Sequence, residues 1–369
     1  MKSLNESSGA SLAWQFSWQK NAAKMSAKIE RNFLLSMMKE EKEMCELSKK
    51  IFTKIEEIFS KKIPKKIAVA LSGGADSLAL TLLLAEFCFE RNIELIALTV
   101  DHKMRQASKT EARALTKILA KKKISHKILE ISAQEVPTKN IEASLREARY
   151  NLLSDFCLKN KIKFLFLGHH IGDVAENFLI RLFRGSGLDG LSTIAQTLER
   201  DGVTLVRPLL EVNKDELKDF LRAKKMSWFE DETNADEKFL RNKIRKFLSE
   251  FPEKNFIEKR IKNAADEISK MRDLFNDKMQ IEVAEIVEER ADGAFLINLE
   301  KFKKTEEKIA LKMLALLLMK VGKKKYKPRL ENLKNFYRAV IETPNFKRKN
   351  FYGCMLEKHD AVSLRLRKE

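Results

Sequence analysis

The residues with the clearest chemistry are Ser72, Gly73, Gly74, Ala75, Asp76 and Ser77, a run reading SGGADS. Small residues in such a run suit an anion, because glycines let backbone N–H groups crowd around phosphate oxygens and a helix N-terminus favours negative charge. A Walker loop, GxxxxGK[ST], would need a lysine after its last glycine. None follows Gly74, which excludes a kinase- or GTPase-type loop. A second set, His169, Asp173 and Glu176 in HHIGDVAEN, has spacings of four and three that share one helix face. Such side chains can hold a divalent ion, or can cap a helix start with no chemistry. A third set is cationic: Arg146 and Arg149 beside Tyr150, and Arg241 and Arg245 beside Asn242. Guanidinium groups suit phosphates and developing pyrophosphate charge. For any one of them a solvated surface arginine is the commoner case, and spacing alone does not decide. Glycines 185, 187 and 190 in RLFRGSGLDGL point to a loop shaped for a ligand.

Elements to hold these residues follow from the hydropathy pattern. Residues 67–71 (IAVAL) form a run too short and unbroken for an amphipathic helix, and read as a buried parallel strand. Residues 78–89 then read as a packed helix. Strands are predicted at 93–100, 126–131 (edge-like), 163–168 and 203–207, with helices at 109–122, 141–159 and 174–184. The fold class expected is α/β, a doubly wound, mainly parallel sheet. Ligands bind such sheets at the carboxyl ends of the strands. Residues 72–77, 101–105 and 169–173 each follow a strand end, so three polar clusters should converge on one crevice. That position favours a functional role for residues 169–176 over a bare cap.

After Arg207-Pro208 the sheet pattern ends. Helices are predicted at 214–224, 239–251, 308–320 and 330–339. Another is expected at 256–275, where apolar residues at 257, 261, 264, 268, 271 and 275 keep the helical period. Residues 346–369 alternate as a hairpin does. The organisation expected is an extension over 1–60, partly disordered or helical; a catalytic domain over 61–250; a helical domain over 251–343; and a basic, β-rich tail over 344–369.

The chain of 369 residues, 44% apolar, is long enough for two domains with real cores. Its four scattered cysteines (Cys45, Cys88, Cys157, Cys354) form no CxxC pair, which argues against an iron–sulfur cluster or zinc ribbon and for a reducing compartment. The longest apolar run, residues 309–319, contains Lys312 and is too short to span a membrane. No secretory signal is visible at Met1, and the expected location is the cytoplasm. The net charge of +19 suggests a polyanionic partner, nucleic acid above all. Residues 301–369 hold 20 Lys/Arg against 7 Asp/Glu, so most of that charge lies at the C-terminal end. The bland alternative is a solvated basic surface.

Taken together, SGGADS, VDHKMR, REARYNLL, GHHIGDVAEN, RLFRGSGLDGL, RPLLEV and WFEDETNAD with RNKIR occur in the order that resembles bacterial tRNA(Ile)-lysidine synthases. SGGxDS alone resembles the pyrophosphate loop of the N-type ATP pyrophosphatases, whose fold is adenine nucleotide alpha hydrolase-like. The likeness runs from about residue 67 to 251 and weakens beyond. It departs at Lys103-Met104, where Gly-Leu is usual, at Gly172, which stands for a frequent Asp, and at Asn177, which stands for a frequent Thr. The resemblance implies an AMP-forming ligase that uses ATP and Mg²⁺ to join free lysine to carbon 2 of the wobble cytidine of tRNA(Ile) with a CAU anticodon. It implies that residues 72–77 bind the pyrophosphate moiety, with Asp76 near the Mg²⁺. Arg149 and Arg241 would neutralise phosphate, and His169, Asp173 and Glu176 would orient the nucleobase or the amine. A homodimer is left open and no membrane is involved. Rival readings are a tRNA 2-thiolase of the same superfamily, which typically needs paired or catalytic cysteines, a small-molecule amidating ligase, and a non-enzymatic RNA-binding protein.

Overall fold

The structure is a computed structural model that describes residues 46–60, 62–101, 106–131, 141–230, 240–324 and 326–369. Most of the predicted extension, most of the cluster at 101–105, and residues 231–239 lie outside the described residues. The chain forms two compact units, residues 1–266 and 267–369.

The first unit is built on a six-stranded sheet of order β3-β2-β1-β4-β6-β5. Its strands are β1 (Lys66–Ala70), β2 (Glu94–Asp101), β3 (Ser125–Glu130), β4 (Phe164–Phe166), β5 (Thr197–Arg200) and β6 (Val203–Val206). All neighbours run parallel except β5, which closes the edge antiparallel to β6. Alternation along the strands explains the layers. Ile67 and Val69 of β1 face a core shared with α1 (46–59), α2 (Ala75–Arg91), α3 (Gln106–Lys121) and α7 (Lys214–Ala223). Ala68 faces the other side, against Tyr150, Leu153 and Cys157 of α4 (Ile141–Lys159). Helices on both faces make this the doubly wound sheet expected. The remaining helices of the unit are α5 (Ile171–Phe183), α6 (Leu188–Leu191) and α8 (Leu240–Ser249).

Helix α1 lies within the stretch read as an extension, yet it belongs to this core. Leu47, Ile51, Ile55 and Phe59 recur every fourth residue and are buried, and the Phe59 ring lies 5.0 Å from that of Phe164. Lys54 Nζ reaches Glu211 Oε2 at 2.6 Å. One unbroken helix, α9 (Lys254–Ile286), contains the division at residue 266, so that division falls later than the expected boundary near 250.

The second unit carries more sheet than a terminal hairpin. Strands β7 (Val287–Glu289), β8 (Phe295–Asn298), β9 (Arg348–Phe351), β10 (Cys354–Lys358) and β11 (Ser363–Lys368) pair antiparallel in the order β7-β8-β11-β10-β9. Helices α10 (Leu299–Lys304), α11 (Glu307–Gly322) and α12 (Leu330–Ile341) pack on that sheet through Phe302, Leu314, Leu318 and Phe336.

Candidate active site

The chain leaves β1 for β2 and β3 on one side, then returns to lay β4 on the other. Between β1 and β4 the winding reverses, which opens a crevice at their carboxyl ends. The loop 72–74 leaves β1 there. Gly73 has φ +89 and a Cβ on it would meet Phe229 and Leu115 at 3.1 and 3.2 Å, so glycine is required by backbone and space alike. Gly74 precedes α2 as an extended N-cap that offers no side-chain cap. The first N–H groups of α2 are thus left for a ligand. Ser77 locks the loop from inside: its Oγ accepts from the Ser72 N–H at 3.1 Å and donates to the Gly74 carbonyl at 3.1 Å.

The segment after β4 enters the same crevice at close range. A Cβ on Gly168 would lie 3.1 Å from the backbone of Asp76 and of Ser77, so this glycine lets the strand end abut the start of α2. His170 caps α5: its Nδ1 accepts from the Gly172 N–H at 3.0 Å, and its own N–H donates to Asp173 Oδ2 at 3.1 Å. A lone pair on Nδ1 assigns the ring proton of the neutral tautomer to Nε2. Nε2 faces Asp76 Oδ2 at 3.6 Å and Asp173 Oδ2 at 3.8 Å. His169 is half-buried, and its Nδ1 is buried without a hydrogen-bond partner among the described residues. Burial, with help from the Arg207, Arg146 and Arg241 charges and against that of Asp173, pushes its pKa down to about 4.

The carboxylates of α5 are held from α8. Arg241 Nε donates to Glu176 Oε2 at 2.7 Å and its Nη2 to Asp173 Oδ1 at 2.9 Å. Arg245 grips Glu176 with two bonds, Nε to Oε1 at 2.7 Å and Nη2 to Oε2 at 3.1 Å. Burial alone would raise the Asp173 pKa, but the two histidine rings, Arg241 and the His170 N–H hold it below the usual carboxylate value. Asp76 differs: its Oδ1 is buried with no hydrogen-bond partner among the described residues.

Residues 47–251 match the family model described as a PP-loop domain. The tRNA(Ile)-lysidine synthase of Wolbachia pipientis wMel is 31% identical over 306 residues, covering 82% of this chain and 70% of that protein. That of Orientia tsutsugamushi (strain Boryong) is 33% identical over 299 residues, covering 79% and 67%. This chain belongs to the tRNA(Ile)-lysidine synthase family. Among solved structures, the U34-tRNA thiolase NcsA from Methanococcus maripaludis, determined with its [4Fe-4S] cluster, has a TM-score of 0.52 at 20% identity, over 62% of this chain and 80% of that one. That likeness is one of fold. The family is an ATP-using one, and a cavity of about 350 Å³ adjoins the loop, lined by Ser72, Asp76, Thr99, Arg149, Tyr150 and His169. Burial holds the Arg149 pKa below the usual guanidinium value, with Tyr150 acting in the opposite sense.

The structure therefore brings Ser72, Gly74, Asp76, Ser77, Arg149 and His169 to one cavity, and joins Asp173, Glu176 and Arg241 in one ion cluster. His170 and Gly168, which link the two groups, were not singled out by spacing. The signal available for them was their place at a strand end ahead of a helix. Among the described residues no helix is long and apolar enough to cross a membrane.

Proposed function

We propose that this protein joins free lysine to carbon 2 of the wobble cytidine of tRNA(Ile) with a CAU anticodon. ATP is spent as AMP and pyrophosphate. The cytosine C2 oxygen is a poor leaving group and must be activated first. It attacks the α-phosphate of ATP, the bond to pyrophosphate breaks, and an adenylated cytidine forms. The side-chain amine of lysine, having lost a proton to a base, then attacks C2. The C2–O bond breaks, the oxygen leaves on AMP, and lysidine remains.

The observation that carries this reading is the meeting of the 72–77 loop with the first turn of α5 across the β1/β4 switch point. The loop N–H groups and the α2 terminus suit the pyrophosphate moiety, and Arg149 suits the α-phosphate. The orphaned Asp76 Oδ1 fits Mg²⁺ carried on ATP, since that ion prefers one or two carboxylates, phosphate oxygens and water. Asp76 would hold it, and the ion would supply positive charge against the departing pyrophosphate. Arg241 and Arg245 fix the α5 carboxylates beside the His170 cap, whose Nε2 faces Asp76. The basic 301–369 segment supplies affinity for tRNA phosphates, and the cytoplasm is where such a substrate is met.

A thiolase reading draws no support from the described thiols. Cys88, Cys157 and Cys354 are buried, and burial pushes the first two up to about 12, far from a reactive thiolate. ATP–pyrophosphate exchange tests the first half-reaction. Exchange should require tRNA(Ile). Exchange that is indifferent to tRNA would point to a small-molecule ligase, and none under any condition would leave only RNA binding.

A further inference from the structure

The proposed reaction needs a carboxylate for the cationic end of the incoming lysine, and the carboxylates around the first turn of α5 are unequally committed. Glu176 has both oxygens in bonds to Arg241 and Arg245. Asp173 has one oxygen on Arg241 and the other on the His170 N–H. Asp76 faces the phosphate loop. A fourth carboxylate, Glu258 of α9, arrives from beyond the segment that matches the PP-loop domain.

Glu258 is 4% exposed, and among the described residues it pairs with Lys254 Nζ, 3.6 Å from Oε1 on a side chain 36% exposed. It reaches α5 because residue 172 is glycine. A Cβ there would lie 3.2 Å from Glu258 Oε1, 3.1 Å from His170 Nδ1 and 2.7 Å from His170 Cε1. The carboxylate and the imidazole therefore close on the same bare stretch of backbone. A buried carboxylate with one long, half-exposed cation is under-neutralised, whereas Glu176 is not. The resident cation is itself a primary ammonium on an alkyl stem, the same chemical group as a lysine side chain. The place thus already accepts the group that the reaction must deliver.

Building on the function proposed above, we propose that Glu258 receives the side-chain ammonium of the amino-acid substrate, which displaces Lys254 from it. Burial, reinforced by Glu176 and opposed by Lys254 and His170, keeps the Glu258 pKa above the usual carboxylate value, in keeping with a charge that lacks a close partner.

Glu258→Gln keeps the shape and removes the charge. In full-length protein with ATP and tRNA(Ile), the KM for lysine should rise at least about tenfold, while the KM for ATP moves less than about twofold. An unchanged KM for lysine overturns the proposal, and so does an equal rise in both constants. Lys254→Met frees Glu258 of its resident cation and keeps the stem. It should leave the KM for lysine equal or lower, and a higher value overturns the proposal even should Glu258→Gln fail to fold. Equilibrium dialysis with labelled lysine makes the same comparisons without turnover. Wild-type protein that binds lysine but forms no lysidine would count against the function and not against Glu258.

Discussion

Arg241 and Glu176, 65 positions apart in the chain, meet through an Nε–Oε2 bond of 2.7 Å, and the same guanidinium holds Asp173 at 2.9 Å. One side chain of α8 thus sets the spacing of both α5 carboxylates. Glu176 is a hub of this arrangement before it is anything else, because Arg245 shares it.

Replacing Glu176 by Gln should therefore destabilise the fold as well as the activity. Two guanidiniums, each about a third exposed, would lose their shared anion. The expected loss in urea unfolding is about 2–4 kcal/mol, since the buried carboxylate is an anion shared by both guanidiniums and a neutral amide cannot replace its charge. A change within about 0.5 kcal/mol, the range of ordinary surface substitutions, would show that the cluster adds little.

Gly168→Ala tests the approach of β4 to the loop. The added Cβ would press on the backbone of Asp76 and Ser77 at 3.1 Å, and a helix start yields less readily than a side chain tip. ATP affinity by equilibrium binding should fall about tenfold, as a site shifted by a few tenths of an ångström loses aligned N–H donors. Unaltered affinity would mean that α2 can retreat without harm to the loop.

His169 gives a pH signature with a definite sign. Its folded pKa of about 4 lies below the ordinary histidine value of 6.5, so as pH falls the unfolded chain binds the extra proton first. Stability contributed by the neutral ring is complete above pH 6.5 and is lost as pH falls toward 4. His126, also depressed by burial, acts in the same direction. Asp173, whose pKa is lowered, loses its contribution only at more acidic pH. Thermal melts of His169→Gln should show a shallower decline between pH 6.5 and 4 than wild type. Parallel curves would place His169 in solvent contact rather than against the arginines.

The basic C-terminal unit is best probed by charge and not by truncation. A chain ending near residue 300 would keep β7 and β8 while removing β11, which pairs with β8, and the helices that cover the sheet. Replacing the exposed Lys323, Lys324, Lys347, Arg348 and Lys349 by Gln leaves that core intact. Affinity for tRNA(Ile) should fall about tenfold or more at moderate salt, and the slope of log K against log salt should become shallower. An unchanged slope would reduce this patch to a solvated basic face.

Much of the fold was legible because buried strands and long amphipathic helices advertise themselves. Residues 67–71 and 141–159 were legible almost to the residue. Strand β5 was not, because TLER is short, largely exposed and closes an edge. The β7 and β8 pair escaped for a similar reason: three and four residues acquire their meaning only beside β11. Of the site, the loop and the α5 face were visible as motifs. What spacing could not show is which carboxylate is committed to which arginine, since Arg241 and Arg245 reach α5 from another helix. Nor could it show Glu258, an ordinary glutamate in a charged helix until the bare backbone of Gly172 lets it approach the start of α5.

The central claim is the identity of the product. Purified tRNA(Ile) with a CAU anticodon should be incubated with the protein, ATP, Mg²⁺ and isotopically labelled lysine, then digested to nucleosides and weighed by mass spectrometry. The account predicts one new nucleoside with the mass of cytidine plus lysine less water, carrying the label, with AMP and pyrophosphate released in equal amounts. An unlabelled or sulfur-containing nucleoside, or no change to cytidine while ATP is consumed, would contradict it.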